Sequence, residues 1–294
     1  MGMLDGLVAV VTGAGRGVGR AHAELLGAEG AKVVVNEAPG AEAAAHEVVA
    51  AIEAGNGQAA ACIEDVASWD GAERLISFAA SAFGGLHVLV NNAGILRQGA
   101  AEDSSEADWD LVLAVNLKGH VAPSRAAARH WRRLADSSAA AYGRIINTTS
   151  GAAFVGLPNH ACYDTAKMGV VGLTLAMAQD LRDLPVTVNC IAPAARTRMT
   201  QHLAMMQTAG AAFDAFAPQT NSALVAWLAS PAAAHVSGQV FQVGGDRVGL
   251  MSTMTPLASI DAGGVAWRPE ALARAAPALF PGGKSRLDPP PVVE

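Results

Sequence analysis

Short apolar runs alternate along the chain with longer stretches in which apolar positions recur at helical spacing. The apolar runs are rich in Val, Ile and Ala and predict buried β-strands at 7–12, 32–36, 58–63, 87–90, 143–149, 186–191 and 238–243. The amphipathic stretches predict helices at 17–30, 42–54, 71–83, 106–134, from about 160 onward, and at 221–230. This alternation is typical of an α/β fold in which right-handed crossovers build a parallel sheet.

The composition fits one large domain. Of the 294 residues, 51% are hydrophobic and 16% are charged, and the mean hydropathy is +0.28, which suits strands that are buried on both faces. Folds of this class commonly reach about 250 residues as one unit. We therefore expect a single catalytic domain at 1–246, followed by a C-terminal extension at 247–294.

Charge and residue spacing exclude several classes of partner. The net charge of −6 argues against a nucleic-acid surface and against a polybasic membrane anchor, and no apolar run is long enough to predict a membrane span. The three cysteines are far apart in the sequence and the eight histidines are scattered, so we expect neither a disulfide nor a metal site. We expect a cytoplasmic protein.

A glycine-rich turn follows the first predicted strand. The sequence TGAGRGVGR, residues 12–20, places Gly13, Gly15, Gly17 and Gly19 between that strand and a helix. Glycine lets the backbone approach a ligand closely, and a helix that begins near Gly17 directs free N–H groups at that ligand. The turn therefore predicts a cradle for phosphate groups.

An acidic residue ends the second predicted strand. Glu37 lies 18 residues beyond Gly19, where a carboxylate can accept hydrogen bonds from adenosine ribose hydroxyls and repel a 2′-phosphate. Arg16, inside the glycine turn, could instead attract that phosphate. We give the carboxylate more weight, and the sequence therefore predicts NAD rather than NADP.

The third and fourth predicted strands also end in polar or small residues. Asp65 is placed either to meet an adenine amino group or only to flank the next helix, and spacing does not separate these alternatives. The fourth strand is followed by the small residues Asn92, Ala93 and Gly94, which leave room for a flat ring or a ribose.

A serine, a tyrosine and a lysine suggest acid–base chemistry. Ser150 follows the fifth predicted strand, at the sheet edge where parallel α/β folds bind ligands. Tyr163 and Lys167 are four residues apart, so in a helix they share a face, and the cation should lower the pKa of the phenol. A lone pattern of this kind usually has no function, so the other motifs must support it. Asn116, in mid-helix, needs a specific hydrogen-bond partner.

Residues 194–220 form a long, apolar, methionine-rich connection after the sixth predicted strand. Such a segment predicts a mobile lid over an apolar substrate. Core packing explains any one of its large side chains almost as well; these are Met199, Leu203, Met205, Met206, Phe213 and Phe216.

Together these motifs resemble, in order and spacing, the short-chain dehydrogenase/reductase family over about residues 5–246. The resemblance implies a Rossmann-like, doubly wound sheet of seven parallel strands, assembled as a homotetramer or homodimer. It implies cofactor contacts from Gly13, Arg16, Gly17, Val18, Gly19, Glu37, Asp65, Val66, Asn92, Ala93, Gly94, Tyr163, Lys167, Pro193 and Thr197.

The resemblance also implies catalytic roles. Tyr163 would exchange the substrate proton, and Lys167 would lower the pKa of Tyr163 and bind the nicotinamide ribose. Ser150 would orient the substrate oxygen, and Asn116 would hold a water molecule in a proton relay.

Finer features, among them VVVNE, NNAGILR, HWRR and APAARTRMT, resemble a narrower branch of the family. This branch contains the 3-hydroxyacyl-CoA dehydrogenase part of peroxisomal multifunctional enzymes and bacterial proteins labelled 3-oxoacyl reductases. Two departures are Ala194, where the family commonly has Gly, and a shorter loop after Glu37.

The leading hypothesis is an NAD-dependent oxidoreductase that interconverts a secondary alcohol and a ketone. The substrate would be a 3-hydroxyacyl thioester such as an acyl-CoA, or another bulky apolar molecule. One alternative is an NADP-dependent reductase of 3-oxoacyl groups or xenobiotic ketones. An alternative from another class is a catalytically silent nucleotide-binding regulator.

Overall fold

The computed structural model describes residues 2–137, 141–201, 213–252, 254 and 256–280. Its strands are β1 Val8–Thr12, β2 Lys32–Glu37, β3 Gln58–Ile63, β4 Val88–Asn91, β5 Gly143–Thr148, β6 Val186–Pro193, β7 Val240–Gly244 and β8 Arg247–Leu250. Its α-helices are α1 Gly17–Ala28, α2 Glu42–Ala54, α3 Trp69–Phe83, α4 Glu106–Leu113, α5 Gly119–Asp136, α6 Ala152–Val155, α7 Ala161–Asp180, α8 Ser222–Ala229 and α9 Pro269–Ala275.

The strands form one sheet in the order β3-β2-β1-β4-β5-β6-β7-β8. The seven predicted parallel strands are present, so the doubly wound α/β fold is confirmed. An eighth strand, β8, pairs antiparallel with β7. Residues 247–250, predicted to belong to the C-terminal extension, instead lie in the compact unit Met1–Leu250. A second unit comprises Met251–Glu294.

The central strands β1, β4 and β5 are buried on both faces of the sheet, which explains why they are continuous apolar runs rather than alternating ones. In β1, Ala9 and Val11 belong to a core cluster shared with α1, α2 and α8. Val8 and Val10 point the other way, into a cluster shared with α3 and α5. None of the helices in the described ranges is long and apolar enough to cross a membrane.

The sheet order reverses at β1, which lies between β2 and β4. Crossovers that diverge from this point leave a crevice outside the carboxyl ends of β1 and β4. The glycine turn follows β1, and the residues Asn92–Gly94 follow β4. The topology therefore brings these two segments to one edge of the sheet.

The helix predicted at 106–134 is interrupted. A π-helical segment, Ala114–Lys118, separates α4 from α5 and carries Asn116. Single π turns inside α-helices often occur at functional sites, because the extra residue changes which side chains face a given direction. The spacing of apolar residues did not predict this interruption, because the residues on both sides of it follow a helical pattern.

Candidate active site

A cavity of about 730 Å³ opens at the carboxyl ends of the strands. This cavity is lined by three of the four predicted catalytic residues, Ser150, Tyr163 and Lys167. All the residues predicted to contact the cofactor also line it. Asn116 does not line it. Tertiary structure thus assembles groups that are up to 184 residues apart in sequence, from Gly13 to Thr197.

The glycine turn is compact because it packs against the end of β4. A Cβ on Gly13, whose φ is +62°, would lie 2.8 Å from Ala93 Cα. A Cβ on Gly19 would lie 2.3 Å from the Gly13 carbonyl oxygen and 2.4 Å from Asn92 Nδ2. These two glycines are therefore required by protein packing, in addition to any contact they make with a ligand.

Asn92 joins β4 to β1. Its Nδ2 donates to the main-chain oxygens of Thr12 at 2.9 Å and Gly13 at 3.1 Å. The Thr12 hydroxyl in turn accepts hydrogen bonds from the main-chain N–H groups of Asn92 and Ala93. This bonding role of Thr12, the first residue of the TGAGRGVGR sequence, was not predicted.

The glycine turn fits the diphosphate of a dinucleotide. Helix α1 begins at Gly17, and its N-cap residue, the exposed Arg16, makes no side-chain capping hydrogen bond. Gly17, Val18 and Gly19 all line the cavity, so the first turn can offer uncapped N–H groups to an anion.

Glu37 is the acidic group nearest this turn. Its Oε1 accepts a 2.9 Å hydrogen bond from the Gly15 N–H, and its side chain lines the cavity although the residue is only 7% exposed. A carboxylate has about four acceptor sites, so acceptors are left over for ribose hydroxyl groups. This arrangement fits the adenosine end of a nicotinamide dinucleotide.

Asp65 lies on the cavity wall and does not cap the next helix. Its Oδ1 accepts a 2.9 Å hydrogen bond from the Ala67 N–H, while Ser68 caps α3 by accepting from the Gly71 N–H. Asp65 therefore flanks α3 and also lines the cavity, so both alternatives stay open. Val66, which is buried, lies beside it on the wall.

The Asn116 side chain holds the loop after β4. Its Oδ1 accepts from the Ile95 N–H at 2.7 Å, and its Nδ2 donates to the Ile95 carbonyl at 2.8 Å. Both the Asn116 oxygen and the Lys167 ammonium lie within 3.5 Å of the point that a Cβ on Gly94 would occupy. Asn116 therefore has the specific partner that its mid-helix position required, and its water-holding role stays a prediction.

Helix α7 carries Tyr163 and Lys167, as predicted. The Lys167 Nζ lies 6.0 Å from the centre of the Tyr163 ring and donates a 2.8 Å hydrogen bond to the Thr148 carbonyl. Lys167 is 3% exposed, and burial lowers its pKa to about 8. Ser150 lies at the end of β5, close enough to affect the ionisation of Tyr163.

The predicted effect of Lys167 on Tyr163 is wrong in one respect. The pKa of Tyr163 is raised above its ordinary value, chiefly because the phenol is removed from water. Interaction with the Ser150 hydroxyl lowers this pKa, and the neighbouring Asp164 carboxylate raises it. The net shift of the Tyr163 pKa is therefore opposite to the predicted one.

The last residue of β6 and the segment that follows it contribute to the same cavity. Pro193, Thr197 and the exposed Met199 line it, and Arg196 forms an ion pair with Asp214. Phe213 is exposed and Phe216 half-buried. The predicted lid residues Leu203, Met205 and Met206 lie outside the described residues.

Two arginines on the cavity wall were not predicted. Arg97 forms a 3.3 Å ion pair with Asp108, and Arg198 is exposed. Arg97 belongs to the NNAGILR sequence, but nothing in its spacing marks it as a cavity residue.

The chain is similar to known dehydrogenases and reductases over most of its length. A hydroxyacyl-CoA dehydrogenase of Mycobacterium tuberculosis, ChsB1, is 41% identical over 276 residues, which cover 92% of this chain and 87% of that protein. A 3-oxoacyl-acyl-carrier-protein reductase of Synechocystis is 40% identical over 253 residues, which cover 84% of this chain and 99% of that protein.

A solved structure is similar over nearly the whole chain. The crystal structure of a short chain dehydrogenase from Mycobacterium avium has a TM-score of 0.88 and 43% sequence identity, and the match covers 98% of this chain and 99% of that chain. A family model described as short chain dehydrogenase matches residues 7–208. With the fold and the assembled cavity, these similarities show that the chain is an oxidoreductase that belongs to the short-chain dehydrogenase family.

Proposed function

We propose that the protein uses NAD to interconvert a secondary alcohol and a ketone on a 3-hydroxyacyl thioester. The observation that carries this proposal is the shared cavity. Ser150, Tyr163 and Lys167 line the same space as the glycine turn and Glu37. A proton-transfer group and a dinucleotide cradle are therefore adjacent, as hydride-transfer chemistry requires.

The roles of the side chains follow from their chemistry. In the direction of oxidation, the Tyr163 oxygen accepts the proton of the substrate hydroxyl; in reduction, it returns that proton to the carbonyl oxygen. The Ser150 hydroxyl donates a hydrogen bond to the same substrate oxygen, and the Lys167 ammonium favours the charged form of the phenol. When bound, the nicotinamide cofactor supplies hydride chemistry, which no protein side chain provides.

Glu37 supports NAD over NADP. Its carboxylate is held against the glycine turn by the Gly15 N–H, so a 2′-phosphate on the adenosine ribose would meet a fixed negative charge. Arg16 supports the alternative of an NADP-dependent 3-oxoacyl or ketone reductase, because it is exposed and lines the cavity. We expect the buried, hydrogen-bonded Glu37 carboxylate to influence cofactor choice more than the exposed Arg16, since exposed charges are screened by solvent.

The thioester substrate is inferred from the names of two similar proteins, a hydroxyacyl-CoA dehydrogenase and a 3-oxoacyl-acyl-carrier-protein reductase. Both names describe acyl thioesters that carry an oxygen on the acyl chain, and the name of the reductase places that oxygen at carbon 3. Exposed Met199 offers an apolar contact for the acyl chain, and the nearby Arg198 offers a positive charge for a phosphate-bearing carrier.

A substrate panel tests the proposal directly. Purified protein is mixed with NAD or NADP and with 3-hydroxyacyl-CoA esters, steroids or simple secondary alcohols, and reduced cofactor is followed by absorbance at 340 nm. We expect the greatest kcat/KM with NAD and a 3-hydroxyacyl-CoA. Preferential turnover of steroids or simple alcohols would replace the thioester, and preference for NADP would favour the reductase alternative.

We also propose that the protein is a homotetramer or homodimer in the cytoplasm, as the family resemblance suggests. Light scattering coupled to size-exclusion chromatography tests the assembly, for which a monomeric mass would contradict the proposal. Fluorescence microscopy of a tagged full-length chain in its native cell tests the location.

A further inference from the structure

An asparagine follows the apolar run of β2. Asn36 comes directly after three valines in the sequence VVVNE, and the residue is only 1% exposed. Asparagine is disfavoured in strands, and a buried amide must find hydrogen-bond partners. Asn36 lines the cavity, but the reaction described above does not use it, so its place in the strand needs another explanation.

The Asn36 amide bonds to the main chain of the neighbouring strand. Its Nδ2 donates to the Cys62 carbonyl at 3.0 Å and to the Glu64 carbonyl at 3.1 Å. A third carbonyl, that of Glu37, lies 3.3 Å from the same nitrogen. An amide NH2 group has two N–H donors, and the two shorter contacts account for both of them. The side chain therefore joins β2 to the carboxyl end of β3.

These bonds continue the strand pairing beyond the last residue of β3. The sheet places β3 at its edge, next to β2. One residue after β3 ends, the Glu64 N–H donates a 3.0 Å hydrogen bond to the Glu37 carbonyl. The Asn36 side chain holds the carbonyl of that same residue. The chain is therefore fixed to β2 where it enters residues 64–66, all of which line the cavity.

Asn36 also bonds to the glycine turn. Its main-chain carbonyl accepts a 3.0 Å hydrogen bond from the Ala14 N–H. The next residue of the turn, Gly15, donates to the Glu37 carboxylate at 2.9 Å. Asn36 therefore links three segments of the cavity wall, namely the glycine turn, the end of β2 and residues 64–66.

We propose that Asn36 is a positioning residue for the adenosine half of the dinucleotide, because it holds residues 64–66 at a fixed separation from Glu37. A preformed site binds more tightly, since less conformational freedom is lost on binding. The inference rests on the proposed function, in which a nicotinamide dinucleotide occupies the cavity. The nicotinamide is at the other end of that molecule, so Asn36 should affect cofactor affinity and leave the chemical step unchanged.

Two variants remove the Asn36 amide. Asn36→Leu keeps a branched side chain of similar size without N–H donors, and Asn36→Ala removes the side chain beyond Cβ. Asn189→Leu is the matched control. Asn189, in β6, is 0% exposed, and its Nδ2 donates to the Val236 carbonyl at 2.8 Å, but it does not line the cavity.

Calorimetry with ADP-ribose, NAD and NADP measures the effect without turnover. We expect both Asn36 variants to raise the Kd of ADP-ribose and of the preferred dinucleotide about tenfold, the loss typical of one or two hydrogen bonds. The KM for that dinucleotide should rise similarly, whereas kcat at saturation should stay within about twofold of wild type.

Asn189→Leu should lower the melting temperature and leave every Kd unchanged. Wild-type affinities in folded Asn36 variants would overturn the inference, as would a fall in kcat with an unchanged KM. An equal loss of affinity in Asn189→Leu would also overturn it, because the effect would then be one of general stability.

Crystal structures of the wild-type protein with and without the dinucleotide provide a second test that needs no variant to fold. The adenosine should lie between Glu37 and residues 64–66, whose backbone should move by less than about 1 Å on binding. An adenosine bound elsewhere, or a larger movement of residues 64–66, would overturn the inference. Failure of the proposed function is distinguishable, because the wild-type enzyme would then turn over no substrate in the panel while the affinity comparison remained valid.

Discussion

The Lys167 ammonium donates a 2.8 Å hydrogen bond to the main-chain carbonyl of Thr148, the last residue of β5. The lysine is 3% exposed, and burial lowers its pKa from 10.5 to about 8. Its hydrogen bond therefore offsets only part of the free energy that burial of the charge requires.

Lys167→Met should stabilise the fold while abolishing turnover. The lowered pKa corresponds to about 3 kcal/mol lost by the folded state near pH 7, and losing the bond to Thr148 removes about 1 kcal/mol of stability. Urea denaturation should therefore show a gain of about 2 kcal/mol near pH 7.

The gain in stability of the Lys167→Met variant should depend on pH. Between pH 8 and 10.5 the unfolded chain keeps the lysine proton and the folded chain has lost it, so wild-type stability rises with pH and the advantage of Lys167→Met shrinks. The exposed Lys118 provides the control, since Lys118→Met should show no such trend. A gain that is constant across this range would contradict the prediction.

Tyr163→Phe should lower kcat by at least about 100-fold, because proton transfer to the substrate oxygen is lost. Dinucleotide binding, measured by calorimetry, should be retained. The only other tyrosine is the control: the Tyr142 hydroxyl donates to the Ala229 carbonyl at 2.8 Å, and Tyr142 does not line the cavity. Tyr142→Phe should cost about 1 kcal/mol of stability and leave kcat unchanged. Near-wild-type turnover by Tyr163→Phe would remove this residue from its assigned role.

Glu37→Gln should reduce the preference for NAD over NADP by about tenfold or more, because a neutral amide removes the repulsion of a 2′-phosphate. The amide oxygen can still accept from the Gly15 N–H, so the glycine turn should keep its conformation. Glu24→Gln, on the surface of α1 beside Arg20, is the control and should leave the ratio unchanged. The measurement is kcat/KM with each cofactor, and an unaltered ratio in Glu37→Gln would show that this carboxylate does not select the cofactor.

Gly19→Ala should destabilise the protein by about 1–3 kcal/mol, because the new Cβ would overlap the Gly13 carbonyl and the Asn92 amide. Dinucleotide binding should weaken as the turn shifts. In contrast, Gly172 lies in α7 with no atom within 4 Å of the added Cβ, and Gly172→Ala should stabilise the protein by up to about 1 kcal/mol. Equal melting temperatures for the two variants would contradict this account of the turn.

Much of the fold is predictable because burial imposes a simple pattern on each parallel strand. β2 and β3 are apolar runs ended by polar residues, and their predicted bounds agree with the structure to within one residue. The exposed strand β8 lacks this pattern, because it is a four-residue edge strand with no buried face. The π segment was not predicted either; its Asn116 bonds to Ile95, which lies 21 residues away in sequence.

The sequence by itself determined the chemical groups: a glycine turn after a strand, an acidic residue after the next strand, and a tyrosine one helical turn before a lysine. These are local features, controlled by backbone freedom and by helical spacing. The tertiary structure alone decided how those groups ionise and which of them support one another. Burial, a property of the whole fold, raises the pKa of Tyr163 and lowers that of Lys167.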